Sequence, residues 1–296
     1  MNLATAKGLS MKSSILRLRV GYELVYQCAQ PTPMILMLRI HPSQISSPLV
    51  PDPIVTAPYV QIASYRDAFG NVCSRIVAPA GRIAISTDAI VSIKAEPDRV
   101  VPAARQYPVQ HLPEETLPFL LGSRYCETDR LSQAAWDLFG QTPEGWGRVQ
   151  AICDYVHRHI TFGYEHASST KSAFEVFQQG KGVCRDYAHL AIAFSRCMNI
   201  PARYCTGYLS DVGLPPPYAT MDFAGWFEAY LDGQWYTFDP RNNAPRRGRV
   251  LMARGRDAAD APLSNTFGPN MLESFKVWTD EVVNTAPPRV AGPTGT

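Results

Sequence analysis

Hydrophobic and polar residues alternate along the first third of the chain. Between Ile15 and about Val101, short β-branched and aromatic runs such as "ILRLRVGYELVYQC" and "PMILMLRI" are interrupted at Gly, Pro and Asn. A period of two is typical of strands that bury one face. The pattern therefore predicts a β-rich N-terminal domain over residues 14–105, built as a small antiparallel β-sandwich or barrel.

The apolar period becomes helical beyond a segment rich in Pro and charge. It recurs in "TDRLSQAAWDLFGQ", in "TPEGWGRVQAICDYVHRHI" with an expected cap at Thr142, in a stretch beginning near Lys171, and from about Cys184 to Met198. These helices predict a core domain over residues 106–282 of the α+β class. Short tails are expected at 1–13 and 283–296.

A hairpin is predicted in "MDFAGWFEAYLDGQWYTFDPRN", residues 221–242. Two strands of alternating character are joined by the tight turn Asp232-Gly233, and the second strand ends at Asp239. Such a hairpin is suited to deliver a carboxylate to a site. It contains no histidine, so a base for that site must come from elsewhere.

Composition limits the classes of function. The 296 residues are 46% hydrophobic and 18% charged, with a net charge of +2, which gives no long-range field for nucleic acid. No apolar run approaches the roughly 18 residues of a membrane span. The seven cysteines are odd in number and include no C-x-x-C pair, which argues against a disulfide framework and a zinc knuckle. We expect a cytoplasmic protein that binds neither nucleic acid nor membrane; its oligomeric state stays open.

One cysteine stands where a nucleophile would be presented. In "GKGVCRDYAHLAIAFSRCMNI", Cys184 follows a glycine turn and falls in the first turn of the fourth predicted helix. Unpaired N–H groups and the helix dipole there are expected to lower the thiol pKa from about 8.5. The same N–H groups, including that of Cys184, are suited to hold an oxyanion. A buried cysteine that only packs is the alternative.

The glycine turn, the Cys184 helix, "IPARY" entering a strand, and "WFEAYLDGQWYTFDP" together resemble the bacterial transglutaminase-like superfamily. The resemblance extends from about residue 15 to 282 and implies a papain-like core behind a β-domain. It places the family's nucleophile on Cys184 and its triad carboxylate on Asp239. The family's catalytic histidine falls two residues before the hairpin tryptophan, and that position is Ala224.

Three residues are candidates to replace the missing base. His189 lies on the helix of Cys184 but about 140° around its axis, and a structural role is the alternative for it. His166 lies on the loop before the third helix and could approach the site from the opposite side. Asp222 is close in sequence to Ala224 and could act as a carboxylate base, although its charge would raise the thiol pKa.

Three hypotheses of function follow. The first is a thiol hydrolase or acyltransferase on amide or peptide bonds, weak or atypical because histidine is missing, with a peptide or protein substrate. The second is a pseudoenzyme that binds a peptide or protein partner in the cleft. The third is an interaction role for the β-domain. No cofactor or metal is implied, since no loop clusters the carboxylates that calcium would need.

Overall fold

The computed structural model describes residues 15–44, 53–218 and 220–282. The helices, numbered in chain order, are α1 (Thr128–Phe139), α2 (Trp146–His159), α3 (Ala173–Gln179) and α4 (Cys184–Cys197). The strands are β1 (Ile15–Cys28), β2 (Thr32–Leu36), β3 (Val55–Ala57), β4 (Ala63–Arg66), β5 (Val72–Ala78), β6 (Gly81–Lys94), β7 (Thr161–Phe162), β8 (Lys181–Gly182), β9 (Ala202–Leu209), β10 (Ala224–Leu231), β11 (Gln234–Phe238), β12 (Arg249–Gly255), β13 (Ser264–Thr266) and β14 (Asn270–Glu281). The two predicted tails fall outside the described residues.

The N-terminal strands form the predicted β-rich unit. One four-stranded sheet has the order β14-β1-β6-β3, and a second has the order β13-β2-β5-β4. Alternate residues of β1, including Leu18, Val20 and Tyr22, are buried in a core shared with β2, β5 and β6. The period-two alternation in the sequence arises from this one buried face.

The last strands of the chain return to the N-terminal sheets. β14 pairs antiparallel with β1 from Leu18 to Cys28, and β13 pairs with β2. Residues 264–281, which the sequence analysis assigned to the core domain, thus complete both sheets of the β-rich unit. Periodicity indicates which face of a strand is buried but not which strand pairs with it, so this return was missed.

The core unit packs helices on an antiparallel sheet, as the sequence indicated. Its sheet has the order β11-β10-β9-β12, and α4 lies between this sheet and helices α1, α2 and α3. Every residue of α4 from Asp186 to Cys197 is buried. A helix enclosed on all sides is held rigidly, which fixes the position of its first residue, Cys184.

Local signals fixed some boundaries and missed one. The hairpin turn at Asp232 and Gly233 is present, with both residues at positive φ, and Ser172 with Glu175 forms a capping box at α3. Helix α2 begins at Trp146, so the expected cap at Thr142 is wrong. Gly145 takes a φ of 78° and stands directly before the helix. This positive φ, which glycine adopts readily, separates Thr142 from the first turn of the helix.

Among the described residues, no helix is long and apolar enough to span a bilayer.

Candidate active site

Cys184 is the first residue of α4. The turn before it is held by Asp186, whose carboxylate accepts the Val183 N–H at 2.9 Å. A Cβ on Gly182 would stand 2.7 Å from the Asp186 side chain, so this turn requires glycine. Among the described residues, the N–H groups of Cys184 and Arg185 have no protein acceptor. The helix therefore presents a thiol beside two available backbone donors.

Strand β10 crosses the start of α4 at Gly225. A Cβ there would lie 3.3 Å from the backbone N of Arg185 and 3.0 Å from the Tyr204 hydroxyl. Glycine within a strand marks a close backbone approach. The approach places the Phe223 carbonyl 3.8 Å from Cys184 Sγ and brings the Gly225 N–H toward the same sulfur.

The thiol of Cys184 is protonated at neutral pH. Burial raises its pKa to about 11, and the negative charge of Asp222 acts in the same direction. The Gly225 N–H and the Arg241 guanidinium oppose this rise. The expected lowering of the thiol pKa at the helix start is therefore wrong, because burial and a nearby carboxylate outweigh it. Chemistry at this sulfur needs a proton acceptor.

Cys184 opens into a cavity of about 90 Å³. The walls come from the loop after β7, from the segment before β10 and from the loop after β11. The residues that line it are Phe162, Tyr164, Cys184, Leu209, Asp211, Thr220, Met221, Asp222, Phe223, Ala224, Gly225, Arg241, Asn242 and Arg246. The cavity thus joins the cysteine to one of the three candidate bases.

Asp222 is the carboxylate beside the thiol. Its Oδ1 accepts the N–H of Phe223 at 2.6 Å, which orients the group. Burial raises the pKa of Asp222, while the Phe223 N–H and Arg241 lower it less strongly. A carboxylate with a raised pKa is a better proton acceptor than an exposed one.

Asp239 ends the hairpin, but its partners differ from those of a triad. Oδ1 accepts the N–H of Asn242 at 3.0 Å, while Oδ2 accepts Asn242 Nδ2 and Arg249 Nη2, each at 2.7 Å. Burial alone would raise the pKa of Asp239, but Arg249 and Asn242 hold it below the usual value. Arg249 also contacts Asp98 at 2.9 Å. The carboxylate is therefore ionised and paired with a guanidinium.

Ala224 is the first residue of β10 and lines the cavity. Phe227 faces Phe238 across the hairpin, so the next position along places Trp226 opposite Asp239. Ala224 lies two residues further on the same face, within diagonal reach of that carboxylate. A longer side chain at 224 would start from the wall of the Cys184 cavity on the face of β10 that carries this carboxylate.

The other two candidate bases do not line the cavity. His189 is fully buried, accepts the Ala258 N–H through Nε2 at 3.1 Å and stacks on Tyr125. Burial lowers its pKa well below the usual value, so it is a neutral core histidine. His166 lies on the 3₁₀ turn Tyr164–His166 beside Glu165, with 3.5 Å between Nε2 and Oε1. Its turn instead contributes Tyr164 to the cavity.

Sequence reasoning missed four residues of the site: Tyr164, Gly225, Arg241 and Asn242. The glycine inside an otherwise apolar strand was a usable signal of close approach. Asn242 stands three residues after Asp239, a spacing typical of a carboxylate that caps a turn. No pattern distinguished Arg241 from the neighbouring arginines. Among the described residues, no three His, Cys, Asp or Glu side chains are grouped to hold a metal ion.

Known proteins resemble this chain in sequence and in fold. Residues 134–240 match the sequence profile of the Transglutaminase-like superfamily. Uncharacterised proteins of Mycobacterium tuberculosis and Mycobacterium bovis are each 30% identical over 224 residues, covering 67% of this chain and 69% of the relative. The crystal structure of a candidate cysteine protease from Cytophaga hutchinsonii is similar, with a TM-score of 0.80 and 29% identity over 93% of this chain and 94% of that one.

The fold is of the transglutaminase-like, cysteine-protease type, and this supports a thiol hydrolase or acyltransferase function in general terms. The chain belongs to the transglutaminase-like superfamily.

Proposed function

We propose that the protein is an atypical thiol hydrolase or acyltransferase that acts on amide or peptide bonds, with Cys184 as nucleophile and Asp222 as its proton acceptor. One observation carries this proposal: Cys184 and Asp222 line the same small cavity, and Sγ lies 3.8 Å from the carbonyl of the residue after Asp222. Asp222 takes the part that histidine has in a Cys-His-Asp site.

In the first step the Sγ–H bond breaks and the proton passes to the Asp222 carboxylate. The sulfur forms a bond to the carbonyl carbon, and the carbonyl electron pair moves to oxygen. The N–H groups of Cys184 and Arg185, which have no acceptor within the described part of the chain, are the donors for this oxyanion. A single such donor contributes about 3 kcal/mol to transition-state stabilisation.

In the second step the oxyanion collapses and the C–N bond breaks. The departing nitrogen takes the proton back from Asp222, leaving a thioester on Cys184 and an amine. Water or an acceptor amine then attacks the thioester and gives its proton to Asp222. The C–S bond breaks, and that proton returns to sulfur. Atoms and charge balance, and the resting enzyme is restored.

The pKa values predict slow turnover. Proton transfer from a thiol of pKa about 11 to a carboxyl group is strongly uphill, even though burial raises the pKa of Asp222. General acid–base catalysis contributes typically about 10²- to 10⁴-fold when the pKa of the base is matched to its task. The Asp222 carboxylate therefore supplies only part of the rate acceleration that an imidazole would supply.

A second candidate function is binding of a peptide or protein without turnover. The observation that favours it is the pairing of Asp239 with Arg249 at 2.7 Å, together with alanine at 224. The first occupies the carboxylate that orients the histidine in a complete triad, and the second removes that histidine. Under this proposal the cavity retains its shape and Cys184 is not acylated by substrate.

Acyl transfer to Cys184 separates the two proposals. The protein is incubated with p-nitrophenyl acetate and with a panel of peptide p-nitroanilides, quenched in acid and digested for mass spectrometry. We expect a thioester on Cys184 and slow release of p-nitroaniline, both lost in Cys184→Ala. Cys197→Ala, at the other end of the same helix, is the matched control and should retain both. If neither reagent acylates Cys184, the hydrolase proposal is wrong.

A further inference from the structure

Arg241 is a wall of the cavity that has no carboxylate partner among the described residues. The other cavity arginine, Arg246, is paired with Asp211 at 3.1 Å. Arg249, behind the hairpin, contacts two carboxylates. A guanidinium that faces a partly buried cavity without a counter-ion is suited to pair with a negative charge brought by a ligand.

The Arg241 side chain is held in place. Its guanidinium lies 4.0 Å from the centre of the Phe162 ring, and Nη1 donates to Asn242 Oδ1 at 3.3 Å. Asn242 is in turn fixed on Asp239 through Nδ2 at 2.7 Å. An ordered guanidinium loses less entropy on binding than a free one, so its position is suited to recognition.

The charge of Arg241 reaches the reacting groups. It lowers the pKa of both Cys184 and Asp222, although burial raises each of them more strongly. When Asp222 accepts the thiol proton it becomes neutral, and Arg246 stays neutralised by Asp211. The negative charge has then moved from the carboxylate to sulfur, and it passes to the carbonyl oxygen when the C–S bond forms. Among the described residues Arg241 has no carboxylate within ion-pair distance in the resting site, so an anionic group on the substrate is suited to pair with it.

We propose that Arg241 selects substrates that carry a carboxylate within one residue of the scissile carbonyl. This inference rests on the proposed function of the cavity as an acyl-transfer site. The cavity, of about 90 Å³, is several times the roughly 10 to 15 Å³ that one water needs, so it has room for a carboxylate. The carboxylate comes either from a C-terminal residue or from an acidic side chain, and Arg241 pairs with it through two N–H donors.

The alkylation of Cys184 by two reagents of equal shape and different charge tests this directly. Iodoacetate carries the carboxylate and iodoacetamide does not. Both react with the same thiolate, so the ratio of their rates at one pH cancels any change in the thiol pKa. Charge-assisted hydrogen bonds contribute about 1.5 to 3 kcal/mol, so Arg241→Gln should lower the iodoacetate to iodoacetamide ratio about tenfold or more.

Arg247→Gln is the matched control, because Arg247 is an exposed arginine of the same loop. It should leave the ratio unchanged. An unchanged ratio in Arg241→Gln overturns the proposal. This readout needs no turnover, so it stands even if the protein hydrolyses nothing, and the two proposals fail separately.

Peptide protection identifies the source of the carboxylate. Peptides ending in a free acid or an amide, and peptides with Glu or Gln beside the scissile bond, are tested for slowing the reaction of Cys184 with iodoacetamide. The free acid should protect at lower concentration than the amide if the α-carboxylate is recognised. The Glu peptide should protect at lower concentration than the Gln peptide if the acidic side chain is recognised. Equal protection by all four, or a difference that persists in Arg241→Gln, contradicts the assignment.

Discussion

Arg249 Nη2 donates to Asp239 Oδ2 at 2.7 Å, so the carboxylate at the end of the β10–β11 hairpin faces a guanidinium. The same arginine contacts Asp98 at 2.9 Å and lies over the Trp226 ring with 5.0 Å to its centre. With alanine at 224, this pairing fills the role that an imidazole would have toward Asp239. The groups available for chemistry are therefore Cys184 and the residues that line its cavity.

Removal of Arg249 should destabilise the protein strongly. Breaking one side of a buried ion pair costs about 3 to 5 kcal/mol, because a charge is left without a partner. We expect Arg249→Met to lower the free energy of unfolding by this amount at pH 7, measured by urea denaturation. Arg82→Met, which removes an exposed pair with Glu273, is the control and should cost less than about 1 kcal/mol.

The pH dependence of this loss has a definite sign. In the natural protein the folded pKa of Asp239 is below its unfolded value of about 3.9. Its stabilising contribution is therefore present above the unfolded pKa and lost as pH falls through the folded pKa. In Arg249→Met the guanidinium no longer lowers the pKa of Asp239, while burial still raises it. The carboxylate of the folded variant therefore takes up a proton above pH 4, and the difference in stability from the natural protein should shrink from pH 7 to pH 4. A difference that grows toward pH 4 would contradict this pairing.

Restoring histidine at 224 alone should help little. The new imidazole would reach Asp239, whose two oxygens already accept three hydrogen bonds, including one from Arg249. We expect Ala224→His to raise peptide p-nitroanilide turnover less than about tenfold, and Ala224→His with Arg249→Met to raise it about 10²-fold or more. Equal gains in the single and double variants would show that Arg249 does not block the carboxylate.

Gly225→Ala should impair chemistry more than folding. The added methyl group would lie 3.0 Å from the Tyr204 hydroxyl and 3.3 Å from the Arg185 backbone, which moves the start of α4 by a few tenths of an ångström. Displacement of a reacting group by about 1 Å can cost about 10²-fold in rate. Because the shift is only a few tenths of an ångström, we expect acylation of Cys184 to slow by less than about 10²-fold, with a fall in Tm of only a few degrees. Gly213→Ala is the control: nothing lies within 4 Å, but φ is +85°, so it should cost stability through backbone strain and leave acylation intact.

The sequence was sufficient to predict the four helices and the place of Cys184 at the start of α4, but not the groups that surround this cysteine. Periodicity predicted α4, and the glycine turn fixed its first residue at Cys184, because these signals are local. The partner of β14 and the pairing of Asp239 with Arg249 depend on contacts between distant segments. Whether helix dipole or burial decides the pKa of Cys184 depends on the same contacts. In the sequence Arg241 is one of several neighbouring arginines. Only the structure shows that it lines the cavity and that, among the described residues, it has no carboxylate partner.

The resting thiol should be a slow nucleophile. With the pKa of Cys184 at about 11, its alkylation by iodoacetamide should rise with pH through pH 8 to 10 and reach half its maximum near pH 11. A free thiol of pKa about 8.5 would reach half its maximal rate near pH 8.5 and level off by about pH 10. Mass spectrometry of the Cys184 peptide follows the rate, and Cys184→Ala gives the background. A plateau below pH 8 would mean that the helix start dominates after all.

The most direct measurement of the central claim compares alkylation and amide turnover in Asp222→Asn. Removing the carboxylate's charge lowers the thiol pKa, so alkylation of Cys184 by iodoacetamide at pH 8 should become faster. The same change removes the group that accepts the thiol proton and returns it to the amine, so p-nitroanilide turnover should fall about 10²-fold or more. Opposite shifts of the two rates are predicted. Turnover that is unchanged or rises together with alkylation would contradict the role of Asp222.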